Sequence, residues 1–206
     1  MICVATPVSV YTVYVDTRDR IFKAAKRLFD EKGLDGVSLR NVAKKIGITP
    51  MAIYRHFEDK QALVDALVLD GLAEWSGRVE ALPPRKGIAW LEQISEAYLD
   101  FALKEPRRFE AAFLLPSTKA RRYPDDFVAG HSPAGNISLK VLQDAAAEGL
   151  IRATPIEIMI TTAALSQGLI SLYRAGRVAG GEEGFRAVYR RAMRRSTESF
   201  LTEKRK

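Results

Sequence analysis

Between Ser38 and Lys60 the chain carries Ser38, Arg40, Lys44, Thr49, Tyr54, Arg55, His56 and Lys60, a run of hydroxyls and cations. The carboxylates in that interval are Glu58 and Asp59 alone. Such a set suits a polyanion: hydroxyls and ammonium groups hold phosphate oxygens, and a guanidinium can also fork onto a guanine edge. It does not suit catalysis. His56 and His131 are the only histidines and Cys3 the only cysteine. No HExxH, no paired cysteine ligands, no phosphate-cradling glycine loop and no Gly-x-Ser-x-Gly is present. The sequence therefore predicts no metal, no cofactor and no enzymatic activity.

The elements that must position these groups are legible from their punctuation. Thr17 is placed to cap a first helix with Ile21, Ala24, Ala25, Leu28 and Phe29 on its apolar face, and Gly33 to end it. Ser38 caps a short second helix with Leu39, Val42, Ala43 and Ile46 inward, closed by Gly47. Thr49 caps a third, with Pro50 at its first position, where the missing N–H is harmless. Asp59 caps a fourth that runs to about Glu80, with Leu63, Leu67 and Trp75 inward.

Two short helices joined by Gly-Ile-Thr, the second carrying exposed aromatic and basic groups, read as a helix-turn-helix. Ile46, Ile48, Ile53 and Phe57 pin the pair together, and Tyr54 turns its ring inward and its hydroxyl outward. Pro50, Met51, Ala52 and Arg55 are left on a narrow face that fits a major groove. Around it stand the phosphate-suited groups Ser38, Arg40, Lys44, Thr49, Tyr54, His56 and Lys60.

The whole chain is 206 residues with 47% hydrophobic content and a net charge of +7, enough for a sizeable core. The charge is uneven. Residues 17–63 hold 11 Lys/Arg against 6 Asp/Glu, whereas 64–189 hold 14 against 16. A basic head on a nearly neutral body again fits a polyanion at one end. The arginines at 190, 191, 194 and 195 read as the solvated face of a last helix. One cysteine allows no intramolecular disulfide, and a reducing, cytoplasmic setting is expected. The apolar opening up to Asp16 lacks the features of a signal peptide and reads as a flexible extension, 1–16. The run Ile156–Tyr173 is interrupted by Thr161, Thr162, Ser166 and Gln167, so it reads as a helix buried among helices and not as a membrane span.

Residues 18–64 resemble the tetracycline-repressor (TetR) family of transcriptional regulators. The resemblance is carried by "AAKRLFDEKG", "SLRNVAKKIGIT", "IYRHF" and the lysine before "AL". It implies that Ser38 and Arg40 touch the DNA backbone, that Tyr54, His56 and Lys60 touch phosphates, and that Thr49 to Ala52 with Arg55 face the bases. Many members have glycine where this chain has Met51 and a hydroxyl residue where it has Ala52, which removes a slim backbone and a polar contact. "AALSQGLISLY" is similar to the penultimate helix of a subgroup with a Trp/His-Gly signature; it keeps Gly168 and Leu169 but has Gln167 in place of histidine.

Beyond Pro83-Pro84 the chain reads as helices near 86–104, 107–115, 133–148, 155–177 and 182–202, with a long loop at 117–132. The fold class is all-α: a three-helix head at 17–63 and a larger helical body at 64–206. In the body, Trp90, Tyr98, Phe101, Phe113 and Tyr173, with Gln167 as the polar group, are the residues expected around a small apolar ligand. Ala163, Ala164 and Gly168, with Phe185, Val188, Tyr189, Ala192, Ser196 and Phe200, are expected at a homodimer interface. Together with the resemblance, this describes a homodimeric repressor released from a palindromic operator on double-stranded DNA by that ligand. A helical carrier of apolar ligands without a DNA role is the alternative, and it leaves Arg40, Arg55 and Lys60 without a purpose.

Overall fold

The computed structural model describes residues 9–202, with side-chain surroundings from Thr17 onward. Ten α-helices are set out among them: α1 (Ser9–Lys32), α2 (Leu39–Ile46), α3 (Pro50–Tyr54), α4 (Lys60–Glu80), α5 (Gly87–Lys104), α6 (Pro106–Phe113), α7 (Asp125–Val128), α8 (Pro133–Ala147), α9 (Pro155–Arg174) and α10 (Gly181–Ser199). Among the described residues β pairing is confined to one isolated antiparallel bridge, Ile151 to Leu201. The all-α expectation holds.

Packing divides the chain into two compact units, the first comprising residues up to Gly71 with Glu110–Lys119 and the second Leu72–Phe109 with the residues from Ala120 on. In the first, α1 packs on α2 and α2 on α3. The expected apolar face of α1 is fully inside, with Ile21, Ala24, Ala25, Leu28 and Phe29 all buried alongside Val42, Ile53, Phe57, Leu63 and Leu67. Gly33 and Gly47 take the left-handed φ (68° and 72°) that lets the chain turn at the ends of α1 and α2. Within the same unit Gly71 of α4 lies so close to Ala112 that a Cβ there would stand 2.8 Å from its backbone nitrogen.

One boundary differs from expectation. Thr17 is not a cap, because α1 already begins at Ser9. No glycine or proline interrupts Ser9–Lys32, and Val, Tyr and Thr cost only a few tenths of a kcal/mol each in a helix, so the helix continues back through them. Of the expected flexible extension 1–16, residues 1–8 lie outside the described residues, and the rest belongs to α1.

In the second unit α5 packs against α8, α9 and α10, while α9 packs against both α8 and α10. Helix α9 is started by Thr154, whose side chain accepts from the Glu157 amide while Glu157 reaches back to the Thr154 amide, with Pro155 at the first position. The expected 117–132 loop contains a helical turn of its own, α7. Phe127 from it is buried and stacks on Tyr123 at 3.8 Å. Gly135 makes room for it, since a Cβ there would meet the Phe127 ring at 2.7 Å.

The body also corrects two expectations about contacts. Phe185 and Tyr189, assigned to a dimer interface, are 0% and 1% exposed in the single chain. Tyr189 donates its phenol to the Ser95 carbonyl and lies 3.0 Å from Ser166 Oγ, so its polar end is satisfied inside the protomer. Burial raises its ionisation well above the ordinary tyrosine range, although the Ser166 contact pulls the other way. Phe200 likewise packs on the protomer's own cluster of Leu91, Phe127, Leu142, Ile158 and Met159. Helix α9, in turn, is not buried all round. Ile160, Ala164, Gly168 and Leu172 form an exposed apolar stripe at four-residue spacing.

Candidate nucleic-acid interface

Local sequence chemistry builds the helix-turn-helix. Ser38 Oγ accepts from the Asn41 amide at 3.1 Å and starts α2; Thr49 Oγ1 accepts from the Ala52 amide at 3.2 Å and starts α3. Each cap uses the oxygen as acceptor and leaves the hydroxyl proton free to donate. Pro50 occupies the first position of α3, as the sequence predicts. Ile53, with 0% exposure, and Phe57 fix α3 from beneath. Asp59 Oδ1 accepts from the Ala62 amide at 2.8 Å and opens α4, which places Lys60 at its first residue.

On this frame the predicted groups are presented together in the first unit. Arg40 and Lys44 are exposed on α2, Pro50 and Met51 on α3, Arg55 just after α3, and Lys60 on α4. Met51 is 72% exposed, an unusual degree for a thioether and consistent with a face kept for another molecule. Lys60 Nζ donates to the Leu34 carbonyl at 3.3 Å, a contact that holds the ammonium group in place. Ala52 and His56 are half-buried. Tyr54 departs from expectation: it is 50% exposed, so its ring stands out from α3 and is not turned inward. The reason is the register of a five-residue helix, in which Ile53 alone takes the inward position.

Sequence reasoning missed the arginines at the start of the described side chains. Arg18 donates to the His56 carbonyl and lies over the Phe57 ring at 4.4 Å. Arg20 reaches the Ile46 carbonyl at 3.5 Å. The Ile46 carbonyl is a helix-end group of α2, and the His56 carbonyl lies in the turn after α3, so α1 latches the end of α2 and that turn. The only signal in the sequence is a pair of cations ahead of the apolar face of α1.

The residues expected to surround a ligand do not converge. Phe101 and Tyr98 belong to one aromatic cluster with Trp75 and Phe109, with centroids 4.9–6.0 Å apart. Trp90 is buried elsewhere and donates its indole to Ser138 Oγ at 3.2 Å. Tyr173 stacks on Phe185 at 4.2 Å. Phe113 falls in the first unit. Gln167 is half-buried and already engaged. Aromatic rings at helical spacing are packing first, and Tyr98, Phe101 and Tyr173 are engaged with other rings of the second unit.

The class of protein is set by this geometry: an all-α chain with an N-terminal helix-turn-helix whose outer face is cationic, hydroxylated and apolar by turns. Residues 21–67 match the family of bacterial regulatory proteins of the tetR type, and residues 91–196 match the tetracyclin repressor-like C-terminal domain. The chain belongs to the tetR family. It is 33% identical over 111 residues to the HTH-type transcriptional regulator YobS of Bacillus subtilis (strain 168), a match covering 53% of this chain and 58% of YobS. The chain thus spans less than two thirds of that relative. Its fold is that of a protein of unknown function from Rhodococcus sp. RHA1, with a TM-score of 0.69, 23% identity and coverage of 90% of this chain and 95% of the other. The fold is also shared with a TetR-family transcriptional regulator from Pectobacterium atrosepticum, with a TM-score of 0.67, 21% identity and coverage of 95% and 100%.

Proposed function

We propose that this protein is a cytoplasmic, DNA-binding transcriptional repressor that acts as a homodimer on a palindromic operator and is released by a small apolar ligand. The observation that carries the reading is the exposed set Arg40, Lys44, Met51, Tyr54 and Arg55 on the helix-turn-helix, with Lys60 at the start of α4. In this reading Met51 and Ala52 contact thymine methyl groups, Arg55 is the one strong donor to a base edge, and the others hold phosphates. A duplex retardation series tests it. Affinity is expected to fall steeply as salt rises, because phosphate neutralisation releases counterions. Lys60→Ala is expected to weaken all sequences alike and flatten the salt slope by about one unit. Arg55→Ala is expected to relax preference at one base pair per half-site. Salt-insensitive binding, or no retardation in a genomic selection, would favour the carrier reading instead.

The proposed ligand site lies in the second unit and takes its polar contact from Thr162. Thr162 is 9% exposed, and its hydroxyl has no hydrogen-bond partner among the described residues. A buried unpaired hydroxyl costs about 1–3 kcal/mol, which a ligand that accepts or donates there would offset. Thr162→Val keeps the shape and removes the polar atom. It is expected to raise Tm by about 2–4 °C in a ligand-free preparation. An unchanged or lowered Tm would mean the hydroxyl is satisfied in the folded chain, and the ligand reading would lose its polar anchor.

The dimer reading is supported by the exposed stripe on α9. A second copy of α9 and α10 would cover it around a two-fold axis. Of the residues first expected there, Ala164 and Gly168 are exposed and Ala163, Val188, Ala192 and Ser196 are half-buried. A Cβ at Gly168 would meet no atom within 4 Å, which leaves room for another backbone to approach.

A further inference from the structure

The first unit contains an open cleft of about 550 Å³ between α1, the turn after α3, and α4. Phe22, Ala66 and Leu69 supply its apolar surface above the buried Phe57, and Arg18 and Arg55 stand at it. Two carboxylates also line it, yet each already holds a lysine: Asp19 with Lys23 at 2.6 Å and Asp70 with Lys26 at 2.6 Å. Neither Arg18 nor Arg55 makes an ion pair among the described residues. Arg18 is anchored by the His56 carbonyl and the face of Phe57, which fixes its guanidinium without neutralising it. The cleft therefore combines an apolar bed with two guanidinium groups that stand outside any ion pair among the described residues, beside two carboxylates already paired with lysines.

We infer that this cleft is an effector site for a small aromatic or aliphatic carboxylate, separate from any site in the second unit. The volume falls in the range of small-molecule pockets, which are largely apolar with a few polar groups fixing orientation. A carboxylate suits the arginines because a planar fork pairs with it through two charge-assisted hydrogen bonds. Arg55 is the residue assigned above to the bases, so a carboxylate bound here withdraws it from DNA. That consequence rests on the DNA-binding reading; the binding itself does not.

The test uses the full chain and 2-naphthoate, with 2-naphthalenemethanol as the neutral counterpart, followed by amide shifts in an NMR titration without DNA. Saturable shifts are expected at residues of the cleft on α1, after α3 and on α4, with the alcohol bound on the order of tenfold more weakly. Arg18→Gln is expected to erase that preference for the carboxylate, and Ala66→Phe, which fills the bed, to abolish the shifts while amide dispersion elsewhere stays native. Shifts confined to the second unit, equal binding of the alcohol, or an unaffected Ala66→Phe variant would each overturn the site. A parallel retardation assay separates the two readings. Naphthoate binding without DNA release would keep the cleft and remove Arg55 from the bases, whereas a protein that retards no duplex but shifts normally would fail the DNA reading alone.

Discussion

Ala164→Glu is expected to convert a micromolar dimer into a monomer and to lower affinity for a palindromic operator by on the order of a hundredfold or more. Ala164 lies along the exposed stripe of α9, between Ile160, 39% exposed, and Leu172, 44% exposed. Over Pro155–Arg174 the helix is apolar enough by length and composition to cross a membrane, yet only 22% of its most apolar window is buried in the single chain. A contiguous apolar face of that kind marks an interaction surface, and the simplest cover is the same face of a second copy. Near a two-fold axis the substituted carboxylates of the two copies would meet, and burying unpaired like charges costs several kcal/mol. The operator effect is one of linkage: two joined heads bind two half-sites with an avidity gain of about 10²–10⁴ that a monomer forfeits. Because Ala164 is exposed in the protomer, helicity and the monomer's own unfolding should be unchanged. Sedimentation velocity at micromolar concentration and operator retardation read the two effects. A persistent dimer with native operator affinity would place the interface elsewhere.

The head is legible in the sequence because its signals are local. Caps at Ser38, Thr49 and Asp59, the proline at position 50 and the left-handed Gly33 and Gly47 each act within four residues, and every one is where the sequence puts it. Tyr54 is misread from sequence because ring direction depends on which residue of a five-residue helix takes the single inward position, and Ile53 takes it. The body is legible only as helices. Phe185 and Tyr189 share a helical face with Val188 and Ala192, and periodicity cannot tell a face turned to the protomer's own α5 and α9 from one turned to a partner. The ligand residues fail for a related reason: an aromatic that lines a cavity and one that stacks on Trp75 leave the same trace in a sequence. Arg18 and Arg20 escape notice because they act on carbonyls distant in the chain.

Asp65→Ala is expected to cost about 1–2 kcal/mol at pH 7 and progressively less as the pH falls below about 4. Asp65 on α4 accepts from Ser117 Oγ at 2.6 Å, from Thr118 Oγ1 at 2.7 Å, from the Thr118 amide at 3.3 Å and from Gln61 Nε2 at 2.9 Å. Gln61 also donates to the Pro116 carbonyl at 3.2 Å. One carboxylate thus ties the turn after α6 to the start of α4, on the helix where Gly71 lets Ala112 approach. Partial desolvation by itself would raise the Asp65 pKa, but the hydrogen bonds from Ser117, Thr118 and Gln61 outweigh it and bring it down to about 2. A carboxyl with a depressed folded-state pKa contributes in full above its unfolded value, near 3.9, and loses that contribution as pH falls toward about 2. The group is only half-buried, so solvent screening trims the gain below what the shift alone would give. Urea unfolding of both proteins between pH 7 and pH 3 measures the difference directly. A gap that shrinks with acid supports an ionised clamp on α4, and a gap that stays constant across the range would mean that Asp65 acts by packing alone.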